Sequence, residues 1–231
     1  TDAKFAYWKS KGWITEYEGK YYGPEAIWCV SNFMNANENT VGPQVTNYRA
    51  NQRHDDAFNI HGVYCAVTDF DSATKTLTYD NSASNFGTWM RNIQVGDKLF
   101  IYFPATGEIL CETTATSATV DHGTYRTVQL ADSFENRLGA IIINNSAIGN
   151  GFTYDNCELK MSYPRGGIIK AGGTFKHCTF ENIGKAAIMA SPEIVDTTFC
   201  ESGYVNGLNL LYNDIKNTNL MHALADKNSS I

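Results

Sequence analysis

An irregular repeat occupies the C-terminal third of the chain, and its period limits the fold more than any other feature. G-F-T-Y-D-N-C-E-L-K from Gly151 is echoed by G-T-F-K-H-C-T-F-E-N from Gly173. Cys157-x-Leu159 returns as Cys178-x-Phe180, 21 residues on, and Ile168-Ile169 returns as Ile188-Met189, 20 residues on. A looser third copy, L-N-L-L-Y-N-D-I-K-N, starts at Leu208 after a longer excursion. Each unit holds short β-prone pieces separated by Gly, Asn or Pro, with no room for a useful helix. A period of about 20 to 25 residues built from short strands is what stacked β-coils require. One coil cannot bury its own inner face. Stacking at about 4.8 Å sets like on like, so Cys157 over Cys178 and Leu159 over Phe180 form ladders inside the core. The leucine-rich repeat shares the period, but its L-x-x-L-x-L-x-x-N pattern is missing.

The N-terminal part fits the same scheme. A-I-W-C-V-S-N-F from Ala26, V-T-N-Y-R-A-N from Val45 and A-F-N-I from Ala57 look like strands punctuated by Asn. Asn tolerates a left-handed backbone and stacks amide on amide, which suits repeated corners. From Val63 to about Leu130 the period disappears. Alternating strands with hairpin signals replace it, such as C-A-V-T-D-F-D-S-A-T-K-T-L-T-Y-D and the P-A-T-G turn at Pro104. The expected fold is therefore all-β, a right-handed parallel β-helix with an inserted small antiparallel β-barrel or sheet module. Residues 1–62 would form the first coils, with 1–20 unplaced. Residues 63–140 would form the insertion, and 141–231 the last coils, resuming at I-I-I-N-N-S.

Composition narrows the partners. Charged residues make up 18% and the net charge is −6, so no basic stripe exists to displace counterions from a nucleic acid. No apolar run approaches the length of a membrane span. The mixture rich in Asn, Thr, Ser, Gly and Tyr is that of secreted all-β proteins, so a secreted, periplasmic or extracellular location is expected. The start at Thr1, without an initiator Met, leads to the expectation of a segment of a longer protein. The cysteines at 29, 65, 111, 157, 178 and 200 match no zinc spacing and are too sparse for a disulfide scaffold; they read as buried thiols. No metal or other cofactor is expected.

The stretch R-H-D-D-A-F-N-I-H-G, residues 53–62, concentrates ionisable groups in a chain otherwise sparing with them. Asp55 and Asp56 are either an acid pair at an active site or a hydrated turn paired with Arg53. Adjacent strand residues point to opposite faces, so both line one groove only if a turn intervenes. Inverting glycoside hydrolysis needs two carboxyl groups about 6.5 to 9.5 Å apart, one ionised and one protonated. Glu193, after A-S-P, and Glu201, opening E-S-G, are the candidates for the partner acid. Asn59 is a sugar ligand or a rung in an asparagine stack. His61 is a hydroxyl donor or an ordinary buried histidine. Arg165, before Gly166-Gly167, forks onto a carboxylate or a sugar diol, or is a surface charge. Trp8, Trp13, Trp28 and Trp89 serve the core or stack on a pyranose.

D-D-A-F-N-I-H-G, the inserted module with V-G-D-K, R-G-G-I-I-K-A-G-G-T-F-K-H-C-T-F-E-N, A-A-I-M-A-S-P-E and E-S-G together resemble glycoside hydrolase family 110 over roughly residues 45–215. The resemblance implies a right-handed parallel β-helix with small β-barrel modules. It also implies inverting removal of terminal α-linked galactose, with Asp55-Asp56 on the water-activating side and a further acid supplied upstream. Here the only upstream acids between Asp2 and Asp55 are Glu16, Glu18, Glu25 and Glu38, and Asn32 stands where a carboxylate is expected. The expected substrate is a carbohydrate, with Arg53, Asn59, His61 and Arg165 binding it. Three other classes stay open: a glycan-binding β-helix without turnover, a polysaccharide lyase using a Lys or Arg base, and a purely structural or partner-binding fragment.

Overall fold

In the computed structural model, the described residues are 15–17, 20–22, 34–53, 56–80, 90–162, 165–191 and 200–220, with the backbone alone at 15–17, 20–22, 34–37 and 52–53. The protein is all-β with several sheets. Among the described residues no helix is long and apolar enough to cross a membrane. A two-stranded antiparallel ribbon, β1 (Thr15–Tyr17) and β2 (Lys20–Tyr22), stands first.

Three stacks of parallel strands follow. One contains β3 (Met34–Asn37), the start of β6 (Phe58–Asp71), β15 (Gly167–Ile169) and β18 (Ile188–Ala190). The second contains β4 (Gln44–Thr46), β13 (Phe152–Asp155), β16 (Gly173–Lys176) and β20 (Leu208–Leu211). The third contains β5 (Arg49–Arg53), β14 (Glu158–Ser162), β17 (Thr179–Glu181) and β21 (Asp214–Lys216). The chain visits the stacks in the same order on each pass. Leu159 pairs with Phe180 as the repeat requires. Ile168 pairs with Met189 rather than with Ile188. Between these two rungs the register is thus 21 residues in all three stacks, and the 20-residue match of the isoleucines was one of composition.

The corners explain the asparagines. Asn47, Asn156, His177 and Tyr212 occupy equivalent corners, all with φ between 52° and 59°. A non-glycine residue there costs about 1–2 kcal/mol unless something offsets it. Stacking supplies the offset: Asn156 Nδ2 donates to Asn47 Oδ1 at 2.7 Å, and the His177 and Tyr212 rings lie 5.7 Å apart at 10°. A second column of left-handed residues holds Met161, Asn182 and Asn217, with Asn217 Nδ2 donating to Asn182 Oδ1 at 3.1 Å. Inside, Tyr154 stacks on Phe175 at 5.1 Å and Phe58 meets Tyr154 at 4.5 Å. Cys157 and Cys178 are buried beside them. Cys65, Cys111, Cys157, Cys178 and Cys200 form no disulfide among the described residues, and burial pushes the Cys65 thiol up to about 12, which keeps it unreactive.

β6 is 14 residues long and changes partners along its length. Beyond His61 it joins an antiparallel path with β7 (Thr76–Asp80), β8 (Lys98–Phe103), β9 (Glu108–Thr114), β10 (Val120–Asp121), β11 (Tyr125–Gln129) and β12 (Ile141–Asn144), in the order β10-β11-β7-β6-β12-β8-β9. A bridge between Ala115 and Leu130, flanked by Thr116 N–H donating to Gln129 O at 2.8 Å, brings the end of β9 back to β11. Ile141–Asn144 does not resume the parallel stacks. It pairs antiparallel with β6 and β8, because its four residues are buried on both faces between those strands, and the parallel pairing restarts at Phe152.

Phe175 is fully buried and touches the rings of Phe58, Phe152, Tyr154 and Phe180. Phe175→Ala is expected to cost about 3–5 kcal/mol. Urea unfolding should show a lower midpoint with little change in slope; a loss under 1 kcal/mol would mean this ring does not join neighbouring rungs.

Candidate functional site

The D-D-A-F-N-I-H-G segment and the E-S-G segment meet, as do the first of these and R-G-G. Asn59 and His61 lie on the same side of β6, two residues apart. Glu201 opens β19 (Glu201–Ser202), which runs antiparallel to β6 with Glu201 opposite Val63 and Ser202 opposite Gly62. Asn59 Nδ2 lies 3.0 Å from both Glu201 oxygens. His61 Nε2 is 3.6 Å from Oε1, and Lys170 Nζ is 2.9 Å from Oε2. His61 Nδ1 sits 2.9 Å from the Gly62 carbonyl, which only accepts, so that nitrogen carries a proton and Nε2 faces the carboxylate.

The second contact is a fork. Arg165 Nε and Nη2 reach Asp56 Oδ1 and Oδ2 at 2.8 and 3.0 Å. Both halves depend on glycine at a close approach. A Cβ on Gly203 would stand 1.9 Å from the Lys170 carbonyl oxygen, and one on Gly166 would stand 2.2 Å from that of Ala187. Glycine in E-S-G and R-G-G thus lets two backbones touch, and this sets Glu201 against Lys170 and carries Arg165 to Asp56.

Burial makes these contacts consequential. Lys170 is 0% exposed, Asp56 and Asn59 4%, and His61 3%. Burial favours the protonated form of Glu201. The charges of Lys170 and His61, with the hydrogen bonds from Lys170 and Asn59, outweigh it and hold the carboxyl below the usual glutamate range. Glu201 is therefore an ionised acceptor, not the protonated donor that the partner-acid role demanded. Two polar atoms here, Asn59 Oδ1 and Ser202 Oγ, are buried without a partner among the described residues.

Lys170 was not among the residues expected from the sequence. Its signal was present: a lysine closing the apolar run I-I-K-A is seldom fully buried without an anion. Glu38 was passed over as well. It accepts from Val63 N–H at 2.7 Å and Arg91 N–H at 3.1 Å, which ties β6 to the segment that precedes β8. Burial raises it to about 7 against these hydrogen bonds and the Arg91 charge. Its Oε1 lies on the side where a Gly62 Cβ would point. That is the face of β6 opposite His61, so Glu38 does not reach the Glu201 cluster. Asp55, His54, Glu193, Trp8, Trp13, Trp28, Trp89 and the Arg53 side chain lie outside the described residues.

No protein-family model matches this chain, and no curated protein matches it. The geometry alone carries the functional argument. It offers a buried carboxylate with its proton off, two cations each paired with a carboxylate, and an amide and an imidazole on one side of a strand, a set of charge-perturbed groups of the kind that marks functional sites.

Two outcomes follow. The Glu38 carboxyl binds its proton more tightly folded than unfolded, so its contribution to stability is complete below about 4.5 and is lost as pH rises through about 7. Glu38→Gln should flatten the stability profile between these values, by at most about 3–4 kcal/mol at 1.36 kcal/mol per pH unit; an unaltered profile would exclude the assignment. Lys170→Met strands the Glu201 carboxylate and should cost about 3–5 kcal/mol, with Lys170→Met/Glu201→Leu recovering much of it in thermal unfolding.

Proposed function

We propose that this chain is a carbohydrate-active protein of the kind seen in glycoside hydrolase family 110, an inverting enzyme that removes terminal α-linked galactose. In this reading the three parallel stacks wind as a right-handed parallel β-helix, and the antiparallel strands form its inserted β-barrel module. One observation carries the proposal: Asn59 and Glu201, 142 residues apart, are joined at 3.0 Å in a cluster that also holds His61 and Lys170. Buried charges are costly to keep without use.

Inversion needs water to attack the anomeric carbon as the bond to the leaving oxygen breaks. A carboxylate takes the water proton and a carboxylic acid protonates the leaving oxygen. The ionised state of Glu201 suits the first role. Asp56, held by Arg165, suits orientation of water or a sugar hydroxyl. The proton donor then falls to Asp55 or Glu193, the remaining acids of the expected set. The Arg165 fork keeps one edge of Asp56 fixed, while Asn59 Oδ1, buried and without a partner among the described residues, is an acceptor for a sugar hydroxyl.

A second reading, glycan binding without turnover, is favoured by the engagement of both Asp56 and Glu201 with cations. Lyase chemistry wants a Lys or Arg base, and Lys170 and Arg165 are both committed to carboxylates. A chromogenic aryl α-galactoside tests the proposal. Release of the aryl group should fall about 100- to 10,000-fold in Glu201→Gln, and proton NMR should show the β-anomer of galactose first. Galactoside binding with no release by the unmodified protein would replace the hydrolase by the binding reading.

A further inference from the structure

A groove of about 610 Å³ lies between the second parallel stack and the antiparallel strands, and it includes none of Asp56, Asn59, His61, Arg165 or Glu201. Its floor follows from the register. Thr153, Thr174 and Asn209 are paired rung upon rung. They alternate with the buried Phe152, Tyr154 and Phe175, so their side chains point outward. Rungs repeat at about 4.8 Å, close to the repeat of an extended hexose chain. A column of hydroxyl and amide groups at that interval can meet successive sugar units with the same contact.

The walls have matching chemistry. Asn145, Asn150 and Asn206 face the groove. Asn145 Oδ1 is buried and has no hydrogen-bond partner among the described residues. An unfilled buried acceptor costs about 1–3 kcal/mol, and a hydroxyl donor would satisfy it. Tyr204 and Phe100 stand at one side with ring centroids 4.9 Å apart, and Tyr204 is 38% exposed. An exposed aromatic face beside amides is what a pyranose ring, apolar on one face and polar at its edge, stacks on. Among the described residues of the lining, Glu112 is the one charged side chain and none is a cation. That composition repels uronates, sulfated glycans and phosphates, and it accepts neutral hydroxyl-rich ligands.

We infer that this groove is a second carbohydrate site, which holds a neutral oligosaccharide chain along the Thr153–Thr174–Asn209 column. The ligand class rests on the carbohydrate reading above; the site itself does not use the Glu201 cluster. Its role is to hold the glycan while a terminal residue is presented elsewhere.

Calorimetric titration of the whole chain with a linear neutral galacto-oligosaccharide and with an oligogalacturonide of equal length tests the inference. The neutral oligomer should bind and the acidic one should not. Tyr204→Ala and Asn209→Ala should each weaken binding about five- to tenfold, the loss of one stacking or hydrogen-bond contact. Asn209 is exposed, so that variant keeps its fold even if Tyr204→Ala does not. An aryl α-galactoside should fail to displace the oligomer. Equal binding of the acidic oligomer, unchanged affinity in Asn209→Ala, or displacement by the aryl galactoside would overturn the inference. Absence of aryl galactoside hydrolysis with groove binding intact would instead defeat only the hydrolase reading.

Discussion

In-register stacking of parallel strands, continued through corners that take left-handed backbone, is the constraint on which the rest depends. A strand of three or four residues has no independent stability. Here each rung is held by the one before and after it, and a residue such as Tyr154 is packed by Phe58 and Phe175. The corners carry the strain. Residues as bulky as His177 and Tyr212 sit at φ near 55° because their rings stack on each other and because His177 N–H donates to the Leu211 carbonyl at 3.0 Å. Side-chain identity at these positions is therefore set by the neighbouring rung as much as by the local turn.

The same stacking brings distant polar residues together. Asn59 and His61 stand on a rung that is also the start of the antiparallel strands, and Glu201 arrives from the far end of the chain along β19. Water is largely excluded, so the Lys170 ammonium and the Glu201 carboxylate interact far more strongly than an exposed pair. Desolvation alone would neutralise Glu201, while its cationic neighbours keep it charged. Glu38, against the other face of the same strand, moves the opposite way, because burial outweighs its two backbone hydrogen bonds and the Arg91 charge. Two glutamates on opposite sides of β6 thus have their protonation set apart by what surrounds them.

Much of this was legible in the residues. The Leu159–Phe180 pairing, the asparagine corners and the change from repeat to hairpins after Val63 all follow from period and turn chemistry. The convergence of D-D-A-F-N-I-H-G with E-S-G and R-G-G was expected, although glycine's part as a close-contact residue, at Gly166 and Gly203, appears only in three dimensions. Ile141–Asn144 was misplaced because four apolar residues suit a strand buried in either sheet, and period cannot tell them apart. The charge state of Glu201 was hidden for a related reason. Nothing near it in sequence reveals Lys170, 31 residues away, whose burial decides it. Glu38 looked like any other upstream acid until its two backbone donors were in place.

One feature of β6 bears on how such a protein diversifies. The strand passes without a break from the parallel stack into the antiparallel path. A module grafted through loops at both ends can be swapped as a cassette. This one shares a backbone with the rung that carries Asn59 and His61, so its entry point is welded to the polar cluster, while its exit is a single 3-10 turn over Asn145–Ala147 capped by Asn144. Variation in module size should accumulate at the exit side and in the hairpins, and the junction at His61–Gly62 should be the part that descent leaves alone.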